Sequence, residues 1–340
     1  MRIVLVRLSA LGDVVHSWPL VETIRAERPD AHLTWVVENP FIPLVEGHPA
    51  VDSVIGTATS RWRKRPLAAA TRTEIGRIKT LLRELQPDVC IDPQGTTKSA
   101  IFSRWTRAPQ RIGLAHPWRR ERLAGLAYTE RAEGAPAGNH VVASNLRLLE
   151  PLGIRPPVEA HPDGRWLLEK VRHRAPAGSW DGPYAVVLPG TGGVHKVLPT
   201  ETLAEVGRGL VEIGLEVVVL WGPGEEARAS NVVTSAGTRV WMAPPTDLEE
   251  MAALLGGAQL VIGGDTGPMH LAASFGVRTV GVFLASDWRR NGPLGGRTVV
   301  VSGAAAGPSN PTGTARVRPL RPVSAGEIVT AATNVLETRG

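Results

Sequence analysis

The feature that most constrains this chain is an alternation that runs through both halves: short apolar runs, each followed by a polar or glycine-rich turn and then an amphipathic run. Alternation of this kind builds βαβ units and a parallel sheet. In the first half, strands are predicted at Ile3–Arg7, His32–Glu38, Asp52–Ile55, Val89–Asp92 and Arg111–Leu114. Helices are predicted at Val14–Glu27, Thr71–Leu85, Thr97–Thr106 and His140–Leu152. Within Thr71–Leu85, Ile75, Ile78, Leu82 and Leu85 recur at helical spacing, which gives that helix one face to lay on a sheet. Between Gly153 and Gly182 the pattern weakens under repeated prolines, so an interdomain connection is expected, with the linker at 161–182. A second series follows, with strands at Tyr184–Leu188, Glu216–Trp221, Thr238–Met242, Leu260–Gly263 and Thr279–Phe283. Its helices are Glu201–Ile213, Glu225–Ser235, Asp247–Leu255 and Pro268–Phe275, and Ser324–Thr338 is a last helix. At 340 residues the chain is too long for one ordinary core. The reading is two α/β lobes, 1–160 and 183–323, facing a central cleft with the carboxyl ends of their strands, where open α/β sheets bind ligands.

The most informative turn is Asp265-Thr266-Gly267-Pro268-Met269-His270. An apolar strand breaks at Gly263-Gly264, and a helix restarts at Pro268, a residue favoured in a first helical turn. Such a turn presents unpaired N–H groups and the positive end of a helix dipole, which suits a phosphate. A second loop, Pro189-Gly190-Thr191-Gly192-Gly193-Val194-His195-Lys196, offers a hydroxyl and a point charge. It is equally readable as a flexible connection. After Trp221-Gly222, Glu225 and Glu226 open a helix, either to complement its dipole or to accept hydrogen bonds from ligand hydroxyls.

In the first half, Ser9-Ala10-Leu11-Gly12-Asp13 ends the first strand. Asp13 is either a helix cap or a general base at the edge of a cleft. Asp92-Pro93-Gln94-Gly95-Thr96-Thr97-Lys98-Ser99 repeats the strand–turn–helix pattern. There is no G-x-G-x-x-G fingerprint after the first strand and no Walker A sequence. No Asp-x-Asp pair or Cys/His cluster predicts a metal, and no Ser-His-Asp arrangement is supported.

The formal net charge of +6 is uneven: Arg61 to Arg131 holds 16 Lys+Arg against 6 Asp+Glu, a local +10 that leaves −4 for the rest. This stretch includes Arg61, Arg63, Lys64, Lys98 and Arg120. It fits an anionic partner, whether phosphorylated substrate, lipid headgroup or nucleic acid, or simply a solvated surface. Nucleic acid is the least favoured, because no binding motif accompanies the charge and few aromatics interleave with it. The lone Cys90 excludes an intrachain disulfide framework and fits a reducing compartment. No apolar run approaches the ~20 residues of a membrane span, and the first residues do not read as a signal peptide. A cytoplasmic protein is expected.

In order along the chain, these pieces resemble glycosyltransferase family 9, the ADP-heptose:lipopolysaccharide heptosyltransferases. The likeness is nearest to members that add the first heptose of the inner core. It runs from Met1 to about residue 300 on Ser9–Asp13, Arg61-Trp62-Arg63-Lys64, Asp92-x-Gln94-Gly95-x-x-Lys98-Ser99-Ala100, Trp221-Gly222 with Glu226, and Asp265-Thr266-Gly267-x-x-His270. The resemblance implies a GT-B fold, two Rossmann-like lobes whose last helix crosses back to the first. It implies an inverting transfer of heptose from ADP-heptose to the Kdo of lipid A, with no metal or cofactor, on the cytoplasmic face of the inner membrane. It also implies that Asp13 is the general base. Thr191, Lys196, Glu226, Asp265, Thr266, Gly267 and His270 would hold the donor, and Arg61, Arg63, Lys64, Lys98 and Arg120 would face the phosphorylated acceptor. There are departures. Leu198 stands where many relatives carry tryptophan, Gly192, Gly193 and His195 slacken the loop, and 302–314 carries no recognisable motif. These leave open another sugar or acceptor within the family; a non-catalytic nucleotide-sugar binder is the reading from a different class.

Overall fold

The computed structural model describes residues 1–136, 138–176, 178, 180, 182–191, 193, 196–295, 297–303 and 321–338. Gly192, His195 and most of 302–314, on which expectations were placed above, lie outside the described residues. The described chain divides into two compact units, one of Met1–Ala160 and one that begins at His161.

The first unit holds a parallel sheet of β1 (Arg2–Val6), β2 (His32–Glu38), β3 (Ser53–Thr57), β4 (Val89–Asp92), β5 (Gln110–Leu114) and β6 (Glu130–Ala132), in the order β3-β2-β1-β4-β5-β6. Its helices are α1 (Leu11–Val15), α2 (Trp18–Glu27), α3 (Thr59–Lys64), α4 (Ala69–Glu84), α5 (Thr97–Thr106) and α6 (Val141–Leu146). The single helix expected over Val14–Glu27 is two helices. Pro19 has no N–H to give to the preceding turn, so the chain ends α1 and restarts at Trp18. Trp18 and Trp35 are both fully buried, and each indole N–H finds a backbone carbonyl, Leu44 at 3.0 Å and Arg7 at 3.1 Å.

The second unit repeats the topology. Its strands are β7 (Tyr184–Leu188), β8 (Glu216–Val219), β9 (Val240–Met242), β10 (Leu260–Gly264), β11 (Arg278–Phe283) and β12 (Thr298–Ser302), all parallel, in the order β12-β11-β10-β7-β8-β9. Its helices are α7 (Arg165–Val171), α8 (Thr200–Glu212), α9 (Glu226–Ala236), α10 (Leu248–Gly257), α11 (Gly267–Ser274), α12 (Trp288–Asn291) and α13 (Ala325–Glu337). In each sheet the strand order reverses between the first and fourth strands: β1 with β4, and β7 with β10. Loops at the carboxyl side of such a switch point are where open α/β sheets bind ligands.

The stretch 161–182 is not a bare linker. It contains α7, which packs on α10, with Lys170 and Arg174 paired to Glu249 and Asp247 at 3.2 and 2.7 Å. The last helix packs within the second unit. Ile328, Ala331, Ala332 and Val335 recur at helical spacing, and this stripe is buried in the second core beside α8, β11 and β12. A capping box between Ser324 and Glu327 sets its start. Among the described residues no helix is long and apolar enough to cross a membrane.

Candidate active site

At the switch point of the first sheet, β1 runs out through Arg7–Ala10 into α1, and Asp13 falls in the first helical turn. Its Oδ2 accepts a long hydrogen bond of 3.4 Å from the Ala10 N–H. The same oxygen lies 3.4 Å from Arg120 Nη2 and 4.0 Å from Arg7 Nη1. The carboxylate thus caps weakly, and it keeps 19% of its side chain in solvent between two guanidinium groups. Arg7 is itself buried. Burial pushes its pKa down, against the pull of Asp13.

The loop after β4 is tied to the loop after β1. Gln94 Oε1 accepts the Leu8 N–H at 2.8 Å. Asp92, fully buried, accepts the N–H groups of Gln94 and Gly95 at 3.0 and 3.1 Å and the Tyr128 hydroxyl at 2.8 Å. Burial pushes its carboxyl up, and these hydrogen bonds oppose the shift. Gly95 has φ +64, and a Cβ there would stand 3.0 Å from that of Arg119, so glycine serves both the backbone and the close approach. Lys98, at the start of α5, reaches the buried Glu38 at the end of β2 (3.3 Å) and Thr59 (3.1 Å).

The basic residues are thus not one wall. Arg120 joins Asp13, and Lys98 joins Glu38. Arg61 turns onto Glu74, whose carboxyl is held below its usual range first by the Trp62 indole N–H at 2.8 Å and then by Arg61. Arg63 and Lys64 project into solvent at the end of α3.

The second unit gathers the donor candidates at its own switch point. Lys196 Nζ lies 2.7 Å from Asp265 Oδ2, and His270 Nε2 lies 3.5 Å from Asp265 Oδ1. Burial alone would raise the Asp265 carboxyl, but His270 and Lys196 together hold it far below the usual carboxylate range. Thr266 is the N-cap of α11 without capping it by its side chain, and its buried hydroxyl finds no partner among the described residues. Beside it begin the N–H groups of a helix start that have no intrahelical acceptor. Gly264 lets the neighbouring loop cross, since a Cβ there would meet the Thr191 methyl at 2.6 Å. The Thr191 hydroxyl donates to the Gly193 carbonyl at 2.9 Å.

Glu226 is not brought to these loops. It is exposed on the first turn of α9. Its neighbour Glu225 is the acid that turns inward, where it accepts the Gly222 N–H at 2.9 Å and lies against Gly190. Arg228 was not anticipated. It donates to the Pro189 carbonyl at 2.8 Å and to that of Leu198, and so clips both ends of the 189–198 loop. Leu198 is buried in the second core. After β11, the Ser286 hydroxyl and one Asp287 carboxylate oxygen are buried without a partner among the described residues, another polar pair with no signal in the sequence. Among the described residues no three His, Cys, Asp or Glu side chains converge as a metal ion requires.

A family model described as glycosyltransferase family 9 (heptosyltransferase) matches residues 75–314. The chain is 33% identical over 283 residues to a lipopolysaccharide heptosyltransferase 1 of Pseudomonas aeruginosa, 83% of this chain and 78% of the relative. It is 32% identical over 291 residues to the Salmonella typhimurium heptosyltransferase 1, 84% of this chain and 89% of the relative. The solved structure of E. coli heptosyltransferase WaaC with ADP superposes with a TM-score of 0.82 at 28% identity, covering 98% of this chain and all of that one. The two Rossmann-like units are therefore those of the GT-B fold, and the chain belongs to glycosyltransferase family 9, the heptosyltransferases.

Proposed function

We propose that this protein transfers heptose from ADP-heptose to the Kdo of a lipid A inner-core acceptor, with inversion at the anomeric carbon and without a metal ion. The observation that carries the reading is the Lys196–Asp265–His270 cluster beside the start of α11, at the switch point of the second sheet. The E. coli WaaC structures with ADP and with ADP-2-deoxy-2-fluoro heptose match 98% of this chain at 28% identity and support a nucleotide-sugar donor. The heptosyltransferase 1 relatives of Pseudomonas aeruginosa, Salmonella typhimurium and E. coli, at 30–33% identity, stand nearer than a heptosyltransferase 3 of E. coli at 25%, although a heptosyltransferase 1 of Campylobacter coli is 23% identical.

The chemistry follows from charge. As the bond from the anomeric carbon to phosphate breaks, positive charge grows on the sugar and negative charge on the departing diphosphate. Lys196, the Thr266 hydroxyl and the first N–H groups of α11 meet that negative charge, the task a divalent cation performs elsewhere. Asp265 holds Lys196 in place, and Glu225 stands ready for ligand hydroxyls. In the first unit Asp13 accepts the proton of the attacking hydroxyl, a role worth about 10²–10⁴ in rate. Arg120 and Lys98 serve the anionic acceptor. Attack on the face opposite the leaving phosphate inverts the centre. A lipid acceptor places the protein peripherally on the cytoplasmic face of the inner membrane, where its basic stretch meets anionic headgroups. Mass spectrometry of the product from ADP-heptose and Kdo-lipid A tests the reading. A mass increase of one heptose is expected, and no transfer refutes it.

A further inference from the structure

The first unit also carries an outward apolar feature that the transfer chemistry does not use. A 3-10 turn at Arg122–Ala127 reads Arg-Leu-Ala-Gly-Leu-Ala. Its small residues face inward: Ala124 and Ala127 are buried with Ala100 of α5 and Tyr128. Its large residues face outward, with Leu123 67% and Leu126 75% exposed. A single exposed leucine is unremarkable; two on one short turn that buries its alanines is not. The helix on which the turn packs, α5, adds Ile101, 44% exposed.

The turn is held rigidly in this inverted arrangement. Arg119 donates to the carbonyls of Leu114 (3.3 Å) and Arg122 (3.1 Å), and its guanidinium fills the space where a Cβ on Gly125 would stand, 2.6 Å away. The Arg131 guanidinium donates to the Gly125 carbonyl at 2.8 Å. Arg122 directly precedes Leu123, and Arg104 lies one helical turn after Ile101 on α5, the helix on which the turn packs; both arginines are exposed. The nearby acid, Glu121, is engaged by the Thr97 N–H at 2.8 Å and the Thr97 hydroxyl, which hold it below the usual carboxylate range. The outer face is therefore apolar within a positive surround, in the stretch with 16 basic against 6 acidic residues.

We propose that Leu123 and Leu126, with Ile101 beside them, form a membrane-docking surface whose partner is an anionic lipid bilayer. The leucines enter the headgroup layer, and Arg104 and Arg122 pair with headgroup phosphates. Two weak signals, apolar insertion and charge, combine as reversible peripheral anchoring requires. Arg120, on Asp13, lies three residues from Leu123, so the docked turn would bring the lipid surface to the carboxylate that receives the acceptor's proton. The inference rests on the lipid-acceptor reading above, and the test separates the two.

Flotation of the full chain with acceptor-free phosphatidylglycerol vesicles, compared with phosphatidylcholine vesicles, measures docking. The Leu123→Ser/Leu126→Ser variant should bind the anionic vesicles at least tenfold more weakly than wild type. Its melting temperature should be unchanged, and its turnover on a deacylated, water-soluble acceptor should stay within twofold. Equal vesicle binding by wild type and variant overturns the proposal, as does wild type that ignores anionic vesicles. Self-association lost in the variant while vesicle binding persists also overturns it, and makes the patch a contact between copies. A Leu126→Cys variant carrying an environment-sensitive dye gives a second reading, because the only native thiol, Cys90, is buried and pushed up to about 12. A blue shift on anionic vesicles is expected, and an unshifted dye contradicts insertion. Failure of wild type to turn over the water-soluble acceptor would count against the proposed transfer and leave the vesicle result standing.

Discussion

Replacing Asp265 by asparagine keeps the shape of the side chain and removes its charge. The carboxylate is 13% exposed, with Lys196 at 2.7 Å and His270 at 3.5 Å. Removing one partner of a fully buried ion pair costs about 3–5 kcal/mol, whereas an exposed pair is worth about 0.2–1 kcal/mol. Lys196 keeps 25% of its side chain in water and can recover part of its hydration. The expected loss lies between these limits, at about 2 kcal/mol. For a unit of this size that is about 4–8 °C in melting temperature. The pH dependence has a definite sign. The folded carboxyl titrates below its ordinary 3.8, so its contribution is fully present above that value and fades as pH falls through the lower folded value. Asparagine does not titrate. Urea unfolding at pH 7, 5 and 3 should show a gap between wild type and Asp265→Asn that is equal at the two higher values and smaller at the lowest. No gap at pH 7, or a gap unchanged at pH 3, would refute the assignment of Asp265 as the counter-ion of Lys196.

Tyr128→Phe removes the hydroxyl that satisfies the buried Asp92, and should lower stability by about 1–3 kcal/mol in a urea melt, with Asp13 and the α1 turn intact. Lys196→Ala should lower kcat/KM for the donor by about 10²–10³, the range for losing one charge-stabilising donor, in steady-state assays at fixed acceptor. Turnover in excess EDTA should equal turnover with added magnesium; a dependence on magnesium would contradict charge stabilisation by Lys196 and α11 alone.

The local architecture was legible because it depends on neighbours in sequence. The Gly263-Gly264 break followed by Pro268 marks a strand end and a helix start, and the structure puts both within a residue or two of those marks. What depends on distant residues was hidden. Lys196 and Asp265 meet although 69 residues separate them, and no local pattern announces that contact. The choice between Glu225 and Glu226 turns on one residue at the start of α9, and a shift of one position swings an acid from the loop into solvent. Arg228 is a single arginine on an ordinary helix, and its grip on both ends of a loop appears only in three dimensions. Strand β6 is three residues, Glu-Arg-Ala, with no apolar run, and the apolar run of β12 is only Val299-Val300-Val301 on the edge of its sheet. The last helix is a similar case. Its apolar stripe was visible in the sequence, but not the core that receives it.

The proposed transfer divides its labour: the second unit would bind the donor, and Asp13 of the first unit would take the acceptor's proton. The most direct measurement pairs turnover with donor affinity in Asp13→Asn. Transfer should fall by about 10²–10⁴ while the dissociation constant for ADP-heptose, measured by calorimetry, stays within about twofold of wild type. Retained transfer, or donor affinity lost in proportion to rate, would contradict that division of labour.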